Sequence, residues 1–281
     1  MKLQRIDGQV TEVARHGDDE LSSTPLMLRR VLEDNPPDEK DPDKRALPFQ
    51  PRSYRDFMLF ERHYYGAAVG MTSLYSPVAH KIGTLFSYVT GMDFPLFKPR
   101  RLWYEQPIFY QSNHLAFYSD GASIAYPSYC KYLDVELELG VVLGRPLYNA
   151  TPDEAIAAIA GFCVFNDFSV RNHQMTEMSS GFGPQHSKAF ANSISSTVVS
   201  ANEIVPLLGF LSGRIIVNDV VVREPKVDKW QFSLGEAISH VSKSTRLYPG
   251  EFFGSGTFPL GAGIECRGIS IACGRCGHAG N

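Results

Sequence analysis

From residue 107 onward the apolar positions fall in alternation or in short unbroken runs, the patterns of half-buried and buried strands. Residues 135–143 are the clearest case. Val135, Leu137 and Leu139 share one face there, with Glu136 and Glu138 on the other. Residues 107–110, 162–165, 194–199, 213–217, 220–223, 252–256 and 263–271 read as further strands, and Val217-Asn-Asp-Val220 as a hairpin turn. Helical spacing is confined to short stretches. Residues 24–33 suit one helix, and Phe57, Phe60 and Tyr64 suit another over 54–66. Thr151-Pro-Asp-Glu154 is a capping box with Pro at the first helical position, opening a helix over 155–159 that Gly161 ends. Residues 233–242 form an amphipathic helix. The predicted fold is mainly β with short helices, an α+β class.

Two stretches interrupt this pattern. Residues 34–52 are loaded with Asp, Lys and Pro and bury little surface, which divides a 1–52 arm and linker from a 53–281 catalytic domain. Residues 67–100 are aromatic and punctuated by Gly and Pro, with His80 and Lys81 inside. They read either as a substrate-covering loop or as an irregular packed segment.

Composition narrows the class. With 43 % hydrophobic and 20 % charged residues, 281 residues can build a sizeable core. A formal net charge of −3 gives no global pull toward nucleic acid or anionic membrane. The N-terminus lacks an apolar signal region, and the longest apolar run, 156–165, is too short to span a bilayer. A soluble, cytoplasmic protein is expected. Five scattered cysteines do not form a disulfide framework. Cys273-Gly-Arg-Cys276, with His278 close behind, is a lone CxxC that reads as a C-terminal tail rather than a zinc or redox site.

Candidate chemistry comes from charged groups inside the apolar pattern. Two glutamates side by side on one strand face repel, and burial would raise their pKa values. A hard divalent cation removes both penalties, whereas a wet acidic strand face needs no cation. Phe165-Asn-Asp167-Phe-Ser169-Val-Arg171-Asn-His-Gln174 runs an apolar strand into a polar cluster, which suits a functional strand end or a capped turn. Asp56 and His63 are seven residues apart (63 − 56 = 7), so on one helix they share a face. Lys188 lies in the Gly/Pro-rich stretch Gly183-Pro-Gln-His-Ser-Lys188.

The order and spacing of these segments resemble the fumarylacetoacetate hydrolase superfamily. The resemblance runs from about Tyr54 to about Gly263. It is carried by Leu133-Asp-Val-Glu136-Leu-Glu138-Leu, Asn166-Asp167-x-Ser169-x-Arg171, Lys188, Tyr248-Pro-Gly250 and Ser255-Gly-Thr257. It implies a mixed β-sandwich roll, usually dimeric, with Mg²⁺, Ca²⁺ or Mn²⁺ held by Glu136, Glu138 and Asp167. The fumarylacetoacetase-like branch adds Asp56 as a fourth ligand and His63 as catalytic base. By the same resemblance, Arg171, Gln174 and Lys188 act on substrate oxygens, while Tyr110, Gly256 and Thr257 bind substrate.

The implied activity is C–C bond hydrolysis of a β-diketone or acylpyruvate-like compound through a metal-stabilised enolate. Alternatives are a decarboxylase, tautomerase or hydratase of a 2-oxo acid, or a non-catalytic binding protein. The chain departs from the family in four places, one being the last strand, which the Cys/Gly/His tail replaces. No carboxylate follows Ser255-Gly-Thr257 in Phe258-Pro-Leu260-Gly to partner His63, which leaves Glu61 or Glu105 as substitutes. Asn192 stands where a Thr is expected, and Asn172 where an Asp is expected.

Overall fold

A computed structural model of the protein describes residues 1–14, 23–38, 40, 41, 44 and 46–265. The Cys273–Cys276 pair, His278 and the end of the strand expected over 263–271 lie outside the described residues. The chain opens with β1 (Lys2–Ile6), β2 (Gln9–Ala14), α1 (Ser23–Asp34), β3 (Ser53–Phe57), α2 (Glu61–Tyr75), α3 (Pro77–Thr90) and α4 (Arg101–Glu105). Next come β4 (Phe109–Gln111), β5 (Phe117–Ser119), β6 (Leu133–Asp134), β7 (Leu137–Leu143), α5 (Pro152–Ala157), β8 (Ile159–Asp167), β9 (Ser169–Val170) and α6 (Arg171–Ser179). The last are β10 (Asn192–Ile194), β11 (Thr197–Ser200), α7 (Ala201–Ile204), β12 (Ile215–Val217), β13 (Val220–Arg223), α8 (Leu234–Ser242) and β14 (Glu251–Gly254).

Ten strands form one mixed sheet whose main path runs β2-β1-β11-β8-β7-β14-β3-β4, with β10 and β5 branching from β8. Most pairings are antiparallel, while β14–β3 and β10–β5 are parallel. The central strands are buried on both faces, so adjacent residues enter different cores. Val142 and Phe252 join one core with Leu3, Leu28, Tyr54, Phe117 and Phe165. Their neighbours Val141, Leu143 and Phe253 join the other, with α5 and α8. Tyr54 and Phe252 each meet Phe117 and Phe165 edge-on, with centroids 5.1–5.5 Å apart. This geometry favours aromatic quadrupoles beyond simple burial.

Four expectations from the pattern are corrected. Residues 1–52 are not a detached arm: β1 pairs with β11, and α1 buries Leu28, Val31 and Leu32 against the sheet. The helix expected over 54–66 is strand β3 followed by α2, so Asp56 and His63 sit on different elements. Residues 67–100 are mostly the two helices α2 and α3 rather than a loop. Gly161 lies inside β8, where an added Cβ would meet Val199 O at 2.7 Å, and α5 already ends at Ala157.

The local turn chemistry matches its sequence signals. Thr151 forms the capping box with Glu154, and Ser233 forms another with Glu236. Asn218 and Asp219 adopt φ of 50° and 64° in the β12–β13 hairpin, the positive values a two-residue turn requires. No helix among the described residues is long and apolar enough to cross a membrane.

Candidate metal centre and catalytic site

The site grows out of the strand period. On β3, Tyr54 packs into the aromatic core, and Asp56, two residues on, shares its face. On β8, Phe165 and Asp167 stand in the same relation, as do Val142, Gly140 and Glu138 on β7. Register brings the strand ends together, because Gly254 of β14 pairs with both Asp56 and Gly140. Gly254 makes room for the carboxylates. A Cβ there would lie 2.2 Å from Asp56 Oδ1 and 2.7 Å from Glu138 Oε2.

Asp56, Glu138 and Asp167 are 3 %, 3 % and 0 % exposed. Each offers a carboxylate oxygen within 4.8 Å of the others. Asp56 Oδ1 and Asp167 Oδ1 are buried with no hydrogen-bond partner. Burial, first of all, holds all three carboxyls above their ordinary range. Mutual repulsion adds to it at Glu138, while Lys188 works against it at Asp56 and Asp167. Crowded hard oxygens, two of them orphaned, in a glycine-lined cradle fit a divalent cation such as Mg²⁺, Mn²⁺ or Ca²⁺.

Glu136, expected from the sequence to be a fellow ligand, points its carboxylate at cations of the protein itself. Lys188 Nζ bonds both Glu136 Oε2 and Asp167 Oδ2, and Arg171 Nη2 donates to Glu136 Oε1 at 2.7 Å. Burial would push the Glu136 carboxyl up, but Lys188 and Arg171 outweigh it and hold it well below the carboxylate range. Lys188 is 3 % exposed despite its Gly/Pro-rich setting. Gln174 Oε1 accepts from Arg171 Nη1 at 2.7 Å.

Three residues expected to bind substrate hydrogen-bond to the acidic cluster. Tyr110 donates its hydroxyl to Asp167 Oδ2 at 2.6 Å. Gly256 N donates to Glu138 Oε2 at 2.9 Å, and Thr257 Oγ1 to Glu138 Oε1 at 3.2 Å. Gly256 has φ of 80°, and a Cβ there would meet Phe57 O at 2.6 Å, so a side chain is excluded on both counts.

His63, in the first turn of α2, is 2 % exposed. Its Nε2 lies 4.0 Å from Glu136 Oε1 on the site side, and its Nδ1 lies 3.0 Å from Glu265 Oε2. Glu265 is therefore the carboxylate that seemed absent from the sequence. Glu61 and Glu105 are engaged elsewhere: Glu61 accepts the Tyr104 hydroxyl and Glu105 pairs with Arg101. The Glu265 carboxylate is itself fixed, accepting Leu260 N at 3.0 Å and Ala262 N at 2.9 Å. Its sequence signal was Gly261-Ala-Gly-Ile-Glu265, a Gly-rich stretch that alternation assigned to a strand.

The fumarylacetoacetate (FAA) hydrolase C-terminal family matches residues 95–275, well over half of the chain. The chain belongs to this family. Mitochondrial oxaloacetate tautomerase FAHD1 of Rattus norvegicus is 29 % identical over 169 residues, covering 60 % of this chain and 76 % of the relative. Fumarylpyruvate hydrolase of a Ralstonia species is 26 % identical over 168 residues, covering 59 % and 86 %. The solved structure of fumarylpyruvate hydrolase from Pseudomonas aeruginosa, in complex with Mn²⁺ and pyruvate, superposes with a TM-score of 0.54 at 21 % identity. It covers 75 % of this chain and 79 % of that one. The relatives thus include an oxaloacetate tautomerase and fumarylpyruvate hydrolases, one of the latter solved with Mn²⁺ and pyruvate.

Proposed function

We propose that the chain is a divalent-metal-dependent hydrolase that cleaves a C–C bond in a 1,3-dicarbonyl, acylpyruvate-like molecule. The observation that carries this reading is the buried cluster Asp56, Glu138 and Asp167 with two orphaned oxygens, set beside a His63–Glu265 pair. A cation held there, next to Glu136, supplies electrostatic stabilisation of negative charge on substrate oxygens. The remaining chemistry falls to side chains. His63, oriented through Nδ1 by Glu265, takes a proton from water at Nε2. The resulting hydroxyl adds to the acyl carbonyl carbon, and the bond to the neighbouring carbon breaks. That carbon is then protonated, giving a carboxylic acid and a 2-oxo acid. Lys188 and Arg171, with Gln174 steadying the guanidinium, donate to substrate oxygens as charge develops. Tyr110, Gly256 and Thr257 keep the acidic ligands in place.

A second reading, tautomerisation or decarboxylation of a 2-oxo acid, rests on the similarity to oxaloacetate tautomerase. It uses the same acids and cation without consuming water in C–C hydrolysis. A non-catalytic role loses its main support once Glu265 partners His63. We further propose a homodimer.

The test is a panel of acylpyruvates and oxaloacetate, assayed with Mg²⁺ and Mn²⁺ and followed by NMR in H₂¹⁸O. Incorporation of ¹⁸O into a released carboxylic acid is expected. Enol–keto interconversion or CO₂ release alone, with no cleavage of any acylpyruvate, would transfer the assignment to the second reading.

A further inference from the structure

Asp134 is wholly buried at the end of β6, two residues before Glu136. Its carboxylate reaches two different parts of the site. Oδ2 accepts Arg171 Nε at 2.7 Å and lies 2.6 Å from Nη2. Oδ1 accepts Gly263 N and Oδ2 accepts Ile264 N, both at 2.9 Å, and Oδ1 also takes Val135 N at 2.9 Å. Gly263–Glu265 is a single 3₁₀ turn, and it ends on the carboxylate that touches His63. One side chain therefore ties the guanidinium at the acidic cluster to the turn that presents the partner of the histidine.

The turn is also pressed from its other side. Gly70 of α2 comes so close that a Cβ there would lie 2.0 Å from Ile264 O. A turn held only by that contact could slide along the helix. Charge-assisted bonds to two consecutive amides fix it in register.

We propose that Asp134 is a positioning residue that locks Glu265, and through it His63, to the Arg171 side of the site. It touches neither the histidine nor the acidic cluster that would hold a cation. This rests on the reading that His63 and Glu265 serve the reaction.

The experiment compares Asp134→Asn, Glu265→Gln and the double variant in full-length protein. Asn keeps the shape of Asp134 and removes its charge. Asp134→Ser is carried in parallel, so that one folded variant is in hand. Asp134→Asn is expected to lower kcat by about 10²-fold, the cost of a roughly 1 Å misplacement, with KM and Mn²⁺ affinity moved by less than about threefold. The double variant should cost less than the product of the two single effects, because both act through one carboxylate. Without any assay substrate, the His63 ring NMR signals in Asp134→Asn should move to their Glu265→Gln positions, and amide exchange should quicken at residues 263–265. Multiplicative kinetic effects, or unchanged His63 signals in a folded Asp134 variant, overturn the proposal. If the wild type cleaves none of the acylpyruvates, the functional reading fails, while the NMR and exchange arms still decide the role of Asp134.

Discussion

At the residue scale, burial and pairing separate four carboxylates that look alike in the sequence. Glu138 is crowded by Asp56 and Asp167 and takes its hydrogen bonds from Gly256 and Thr257, whereas Glu136 is bonded by Lys188 and Arg171. Glu138→Gln is therefore expected to abolish tight Mn²⁺ binding, read by electron paramagnetic resonance. Glu136→Gln should retain most of the ion while losing turnover, because it removes the buried counter-charge that Lys188 and Arg171 share and leaves them only Asp167 and Asp134. Equal retention of the ion in both variants would remove the basis for separating their roles. His63→Ala and Glu265→Gln should each lower turnover far more than ion affinity, and loss of the ion in parallel would remove His63 from the role of base. The four acidic positions and His63 were legible because strand alternation and motif spacing are local signals. Glu265 and Asp134 were not, since nothing within a few residues of either announces a partner. Glu265 meets its histidine only after the chain has crossed the whole sheet.

At the element scale, strands with strong alternation or closed turns were legible, and elements fixed by distant packing were not. The β12–β13 hairpin and the capped helices α5 and α8 each carry their own turn chemistry, so local sequence suffices. Strand β3 read as a helix because Phe57, Phe60 and Tyr64 happen to keep helical spacing. The decisive fact is that β14 and β4 flank Asp56, which no local window contains. Helix α2 follows the same lesson. Gly66-Ala-Ala-Val-Gly70 falls where the expected helix stops, yet those glycines let α2 lie against the 263–265 turn. Gly70→Ala is predicted to force the turn away from α2 and lower kcat strongly, with crystallography or NMR showing displacement at Ile264. Gly91→Ala is the control. It ends α3 at φ 68° with open space around it, so it should cost roughly 1 kcal/mol of stability and no activity. The loop bearing Lys188 has a comparable anchor on α6. The Glu177 carboxylate accepts Gln185 N at 2.8 Å, His186 N at 2.9 Å and the Ser187 hydroxyl at 2.6 Å.

At the scale of the whole molecule, two surfaces of the charge and apolar balance remain. Helix α3 turns Val78, Ile82, Leu85, Tyr88 and Val89 outward, 56–88 % exposed, and three- and four-residue spacings make them one seam. The stripe is broader than the scattered apolar residues of an ordinary monomer surface. In the homodimer proposed above, a second copy presenting the same stripe about a two-fold axis would cover it. If that proposal holds, the wild type is a dimer in light scattering and Leu85→Glu with Val89→Glu converts it to a monomer, whereas a wild-type monomer overturns it. The acidic cluster sets a second global property, the dependence of stability on pH. Burial raises the Asp56, Glu138 and Asp167 carboxyls, so without metal the folded chain binds more protons than the unfolded one above about pH 4. Their stabilising share is present in acid and declines as pH climbs through the raised values. Glu136 works in the other sense. Its lowered value contributes stability above the unfolded carboxylate range and loses it only in strong acid. With metal absent, the three crowded carboxyls of the cluster make stability fall as pH rises above the ordinary carboxylate range, which calorimetry reads. A divalent ion reverses that slope, because it binds the deprotonated cluster and releases protons as it does so. The gain in Tm on adding Mn²⁺ in place of a chelator should therefore grow with pH. At about 100-fold excess over its dissociation constant it corresponds to roughly 2.7 kcal/mol. Glu138→Gln removes the gain at every pH if the three carboxylates are the seat of the ion. A gain that is flat with pH, or that survives in Glu138→Gln, would place the bound ion elsewhere on the protein.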